Sequence, residues 1–118
     1  MALELGMITV DCADPRGLAA FWTAALGVRV AADYGAFVML ERPASGGPTM
    51  GFQQVPEPRP GKNRVHTDFV ASDREAEVRR LVGLGATELD RQTQPGLAWT
   101  VLSDPEGNEF CVAERDVG

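Results

Sequence analysis

His66 is the one histidine of the chain, and Asp68 follows it two residues later. An imidazole titrates near neutral pH, and a carboxylate beside it sets which ring nitrogen carries the proton, so the pair suits general acid–base work. On an extended strand the two share a face about 7 Å apart by strand rise, a gap that side-chain reach or a water could close. Glu109 and Cys111 alternate in the same way near the C-terminus, and Met7, Thr9 and Asp11 near the N-terminus. Crowded carboxylates such as Asp11, Asp68 and Glu109 could raise one pKa and set an acid beside a base. Cys111 could be a nucleophile if a base lowered its pKa, although a lone strand cysteine is more often a small buried hydrophobe. Trp99 could stack on an aromatic ligand, with its direction left open. Arg59, Lys62 and Arg64 form a basic cluster that reads first as a solvated loop and second as an attractor of anions.

The elements that must position these residues repeat. Ile8 to Asp14 is a short β-like run ending at an acid, and Thr67 to Asp73 has the same shape. Each is followed by a helical stretch ending in Leu-Gly, at Leu26-Gly27 and Leu84-Gly85. Asp14 suits the first N-cap and Pro15 the first helical position, with Leu18, Phe21, Trp22, Ala25 and Leu26 on one face. In the second copy Ser72 or Asp73 caps, Glu75 could complete a capping box from Ser72, and Val78, Leu81 and Val82 supply the apolar face. Ala36–Leu40 and Ala98–Leu102 are alternating strands, and Met50–Val55 and Glu109–Ala113 are the last strands of each copy. Asp104-Pro-Glu-Gly107 is a turn signal that makes a hairpin of residues 98–103 and 108–113. The proline-rich stretch 55–62 reads as a linker between a βαβββ half at 5–56 and another at 63–115. The expected fold is α+β, a single domain over 1–118. Its tandem βαβββ modules pair into a curved mixed β-sheet cleft with the helices outside.

Composition narrows the partners. The formal net charge is −6, which disfavours nucleic acid, and no apolar stretch approaches the ~18 residues of a membrane span. No signal peptide is visible, so the cytoplasm is the expected compartment and Cys12 and Cys111 read as reduced thiols.

A duplicated βαβββ unit carrying ADPRGLAAFWTAALG (13–27), KNRVHTDF (62–69) and LSDPEGNEFCVAE (102–114) resembles the vicinal oxygen chelate superfamily, the glyoxalase and bleomycin-resistance proteins. The GFQ strand at 51–53 and the NRVH strand start at 63–66 resemble its small glyoxalase-like actinobacterial members. The resemblance implies one divalent metal, with a ligand from the first and last strands of each half. Carried onto this chain, those positions are Met7, Gln53 (or Gly51, two residues away in register), His66 and Cys111. Only His66 matches. A thioether and a neutral amide are poor partners for ions that want carboxylates and imidazoles.

No cofactor is therefore expected; if a divalent metal binds at all, His66 is its candidate ligand. The expected function is binding of a small organic molecule in a polar site, and its acid–base transformation by His66, Asp68 and Glu109. Met7, Thr9, Asp11, Gln53, Trp99 and Cys111 are the expected contacts. The alternatives are a metal-dependent lyase, isomerase or dioxygenase with an atypical ligand set, and a non-catalytic structural or interaction module. The resemblance also implies a homodimer.

Overall fold

A computed structural model describes residues 2–58 and 61–115, in two compact units divided near Pro58. Arg59 of the basic cluster and Pro60 of the linker lie outside the described residues.

The first unit runs β1 (Met7–Cys12), α1 (Pro15–Leu26), β2 (Val30–Asp33), β3 (Phe37–Leu40) and β4 (Thr49–Gln54). The second runs β5 (Thr67–Val70), α2 (Arg74–Leu84), β6 (Thr87–Gln94), β7 (Leu97–Ser103) and β8 (Glu109–Arg115). Each unit is thus βαβββ. The sheets have the same order, β1-β4-β3-β2 and β5-β8-β7-β6, and in each the first strand runs parallel to the last while the other neighbours are antiparallel. A helix must intervene between the parallel first and last strands of such a unit, because parallel pairing needs a long crossover.

Local chemistry fixes the helix ends. Asp14 caps α1 by accepting from the Gly17 N–H at 3.1 Å, and Pro15 opens the helix. Gly27 closes it at φ 68°, the left-handed region a glycine enters without a Cβ penalty. Leu18, Phe21 and Trp22 are buried as the spacing predicts, while Ala25 and Leu26 are half-buried. The cap of α2 is Asp73, whose carboxylate accepts from the Ala76 N–H at 3.1 Å. The Ser72 capping box does not form, because Glu75 instead pairs with Arg91 on β6 at 2.9 Å. Val78 and Leu81 are buried, but Val82 is 45% exposed and falls off the apolar face.

The strand faces divide cleanly. On β7, Ala98, Thr100 and Leu102 are buried, alternating with half-buried Leu97, Trp99, Val101 and Ser103. The buried set lies on the α2 side, where Arg74 of α2 donates to the Thr100 hydroxyl at 2.6 Å. Phe110 shares that side and meets Phe69 edge to face, with ring centroids 5.9 Å apart. Among the described residues no helix is long and apolar enough to cross a membrane.

Candidate functional site

The second unit gathers its chemistry on the sheet face turned away from α2. Asp68 on β5 lies beside Cys111 on β8 in parallel register, and Cys111 lies opposite Val101 on β7. Register partners share a face, so His66, Asp68, Glu109, Cys111, Val101 and Trp99 all project to one side. Trp99, whose direction the sequence left open, therefore stands on the Cys111 side, opposite Ala113 on β8.

Side-chain reach closes the gap between acid and base. Although residues two apart on a strand are about 7 Å apart along it, His66 Nε2 approaches Asp68 Oδ2 to 3.5 Å. Cys111 completes the group: one ligand-capable atom from each of His66, Asp68 and Cys111 lies within 4.8 Å of the others. His66 and Asp68 are exposed whereas Cys111 is 8% exposed, so the thiol forms the floor of the cluster.

Electrostatics hold Cys111 as a thiol. Burial pushes its pKa up to about 11, aided by the Asp68 charge and by a hydrogen bond to the Asp68 side chain, with a smaller contribution from Glu109. The wiring matters here. A nucleophilic cysteine needs an imidazole to take its proton, but the group hydrogen-bonded to Cys111 is a carboxylate that disfavours the thiolate. Burial and the Asp68 contact therefore disfavour the nucleophile reading of Cys111.

Glu109 sits on the expected face but turns to another partner, with Oε1 3.8 Å from Lys62 Nζ. Its backbone is clamped by a residue the sequence reading had not singled out. Asn63 Oδ1 accepts from the Glu109 N–H at 2.8 Å, while Asn63 Nδ2 donates to the Glu109 carbonyl at 3.2 Å. One side-chain amide thus mimics a strand partner and fixes the run that leads into His66. Lys62 of the basic cluster is engaged with Glu109, and Arg64 is exposed.

In the first unit Met7, Thr9 and Asp11 are exposed and share a face, as alternation predicts. Their β4 partners are Thr49, Gly51 and Gln53. This register settles which β4 residue corresponds to Cys111. Thr9 pairs with Gly51 as Asp68 pairs with Cys111, so the matching residue is Gly51, and Gln53 corresponds to Ala113. Gly51 is a close-approach glycine. A Cβ there would meet Phe37 Cζ at 2.9 Å and Met7 Sδ at 3.1 Å. The aromatic ring and the thioether pack over bare backbone where a ligand side chain would stand. A glycine inside a strand could have signalled this, since it often marks such an approach.

The donor set therefore does not fit the hard-ion centre that the resemblance implied. The first unit offers a thioether and a glycine at the two positions, and the second offers one imidazole and a protonated thiol. Ions such as Mg²⁺ demand oxygen-rich shells that these positions do not supply.

A sequence model of the glyoxalase-like domain matches residues 7–113. The fold recurs in solved structures. One is a glyoxalase/bleomycin resistance protein/dioxygenase family enzyme from Burkholderia phytofirmans PsJN (TM-score 0.80, 20% identity, 96% of this chain and 99% of that one). A glyoxalase/bleomycin resistance protein/dioxygenase from Nocardioides aligns at TM-score 0.78 and 14% identity, over 100% of this chain and 87% of its own. A lactoylglutathione lyase from Agrobacterium tumefaciens aligns at 0.72 and 17%, over 97% and 95%. At these identities the likeness concerns the fold. No curated protein matches the chain.

Proposed function

Because the chain belongs to the glyoxalase-like domain family, we propose that it is a member with a degenerate metal site that binds a small organic molecule on the face of its second sheet turned away from α2. The observation that carries this reading is the 3.5 Å approach of His66 Nε2 to Asp68 Oδ2, on the same sheet face as Trp99 and a Cys111 that stays protonated. Trp99 and Val101 supply apolar contact, and the indole can stack on a planar ligand. His66 exchanges a proton with the ligand, and Asp68 orients the imidazole. Glu109, drawn to Lys62, contributes field rather than proton transfer in this arrangement. Met7, Thr9, Asp11 and Gln53 share one face of the first unit's sheet. The protein works in the cytoplasm, as a homodimer.

The test is a thermal-shift screen of a small-molecule library against chelator-treated protein, repeated on His66→Ala and Trp99→Ala. Hits that stabilise the wild type and lose at least about tenfold in affinity, about 1.4 kcal/mol, in both variants are expected. Hits that appear only after a divalent ion is restored would favour the metal-dependent lyase, isomerase or dioxygenase. A library that stabilises nothing would favour the interaction module.

A further inference from the structure

The mismatch with a hard-ion centre has a positive side. We infer that His66, Asp68 and Cys111 form a site, within the second unit alone, for a thiophilic divalent ion of the zinc, cobalt and cadmium class, and that the ion competes with the organic ligand for the same imidazole and carboxylate. The inference builds on the placement of the ligand site proposed above, but its geometry stands independently of it.

Three different donor atoms, a nitrogen, an oxygen and a sulfur, already lie within 4.8 Å of one another. Around a tetrahedral ion at about 2.0–2.3 Å from each donor, such atoms sit roughly 3.3–3.7 Å apart. The His66–Asp68 separation of 3.5 Å is already in that range. The remaining closure is a side-chain adjustment of about 1 Å, and two of the three side chains are exposed and able to make it. The backbone needs no change. Asp68 and Cys111 are register neighbours on paired parallel strands, and Asn63 fixes the start of the β5 run against Glu109.

The donor types select the ion. One thiolate, one imidazole and one carboxylate are a borderline-to-soft set, suited to zinc and its relatives. Mg²⁺ and Ca²⁺ need six or more oxygens, whereas the cluster supplies the one carboxylate of Asp68, Glu109 being turned to Lys62. Asp68 is the donor that makes the difference, because it belongs to none of the four positions carried over from the family and brings the count in one unit to three. The fourth tetrahedral position is left for water, as in open zinc sites. Binding breaks the Cys111 S–H bond, forms a sulfur–metal bond and releases that proton to solvent; no electron is transferred. The bound ion occupies the His66 nitrogen and the Asp68 carboxylate together, which removes the acid–base pair from use. Thiophilic ions are then inhibitors of the site rather than its cofactor.

The experiment is a titration of the chelator-treated full chain with Co²⁺, following thiolate-to-cobalt charge-transfer absorption in the near ultraviolet. Calorimetry with Zn²⁺ and with Mg²⁺ runs in parallel. One equivalent of Co²⁺ should develop the band, Zn²⁺ should bleach it, and millimolar Mg²⁺ should do neither. Cys111→Ser, a near-isosteric change, should abolish the band, while Cys12→Ser should keep it. Asp68→Asn should weaken Zn²⁺ by at least about 10- to 100-fold, the cost typical of losing even an outer-shell partner. Circular dichroism confirms that each variant is folded. The inference is overturned if no band develops, if the band survives in Cys111→Ser, or if Mg²⁺ binds as tightly as Zn²⁺. No organic ligand enters this titration, so its failure leaves the small-molecule reading intact. A failed ligand screen likewise leaves the ion site intact.

Discussion

At the scale of single residues, Asp68 decides the chemistry because it stands between two proton carriers. It faces the His66 imidazole at 3.5 Å and accepts from the Cys111 thiol, adding to the burial that pushes the thiol's pKa up to about 11. Removing its charge in Asp68→Asn should move the midpoint of Cys111 alkylation to lower pH, read in a Cys12→Ser background. The shift should be partial, because burial is the largest cause of the raised pKa and survives the substitution. The same raised pKa predicts alkaline sensitivity. The unfolded chain loses this proton near pH 8.5, whereas the folded chain holds it to about pH 11. Between those values the unfolded state binds fewer protons, so stability falls as pH rises, by about 3 kcal/mol in total. Denaturant unfolding from pH 8 to 11 should reveal that slope in the wild type and not in Cys111→Ser. His66 and Asp68 were legible as a pair from their spacing alone. Their approach to 3.5 Å was not, because strand rise says nothing of rotamers. Cys111 was expected in the same site, but its place directly beside Asp68 rests on a pairing of β5 with β8 that no local pattern contains.

At the scale of elements, the alternation of β1, β5 and β8 and the Leu-Gly helix ends were readable because side-chain period and glycine conformation are local properties. Register is not local. The choice between Gly51 and Gln53 needed the Thr9–Gly51 pairing, and Phe37 folding over Gly51 depends on a neighbouring strand. The α2 cap was ambiguous for the same reason, since the partner that draws Glu75 away from Ser72 is Arg91 on β6. Asp73→Ala should destabilise the protein by about 1 kcal/mol in denaturant unfolding, the usual cost of a lost N-cap, and Ser72→Ala by far less. Asn63 holds the other junction. Its amide makes two hydrogen bonds to the Glu109 backbone, so Asn63→Ala should cost about 1–3 kcal/mol and raise hydrogen-exchange rates along β5 and the start of β8. Unchanged exchange there would mean that the clamp does not position His66.

At the scale of the whole molecule, the duplicated βαβββ plan explains how two similar sheets came to carry different faces. One presents Met7 and Gly51 where the other presents His66 and Cys111, so the donors concentrate in the second unit. The proposed homodimer predicts a light-scattering mass twice the chain's 12.7 kDa; a mass equal to it would remove that part of the proposal. The central claim is that the His66–Asp68 pair engages a small organic ligand without a metal. His66 is the chain's one histidine, so its imidazole resonances need no assignment. The most direct measurement is therefore the imidazole NMR spectrum of chelator-treated protein during titration with a ligand from the thermal-shift screen. Saturable movement of the His66 signals at the ligand's own affinity is the predicted result. His66 signals that stay fixed while the ligand binds, or that move only after a divalent ion is added, would contradict it.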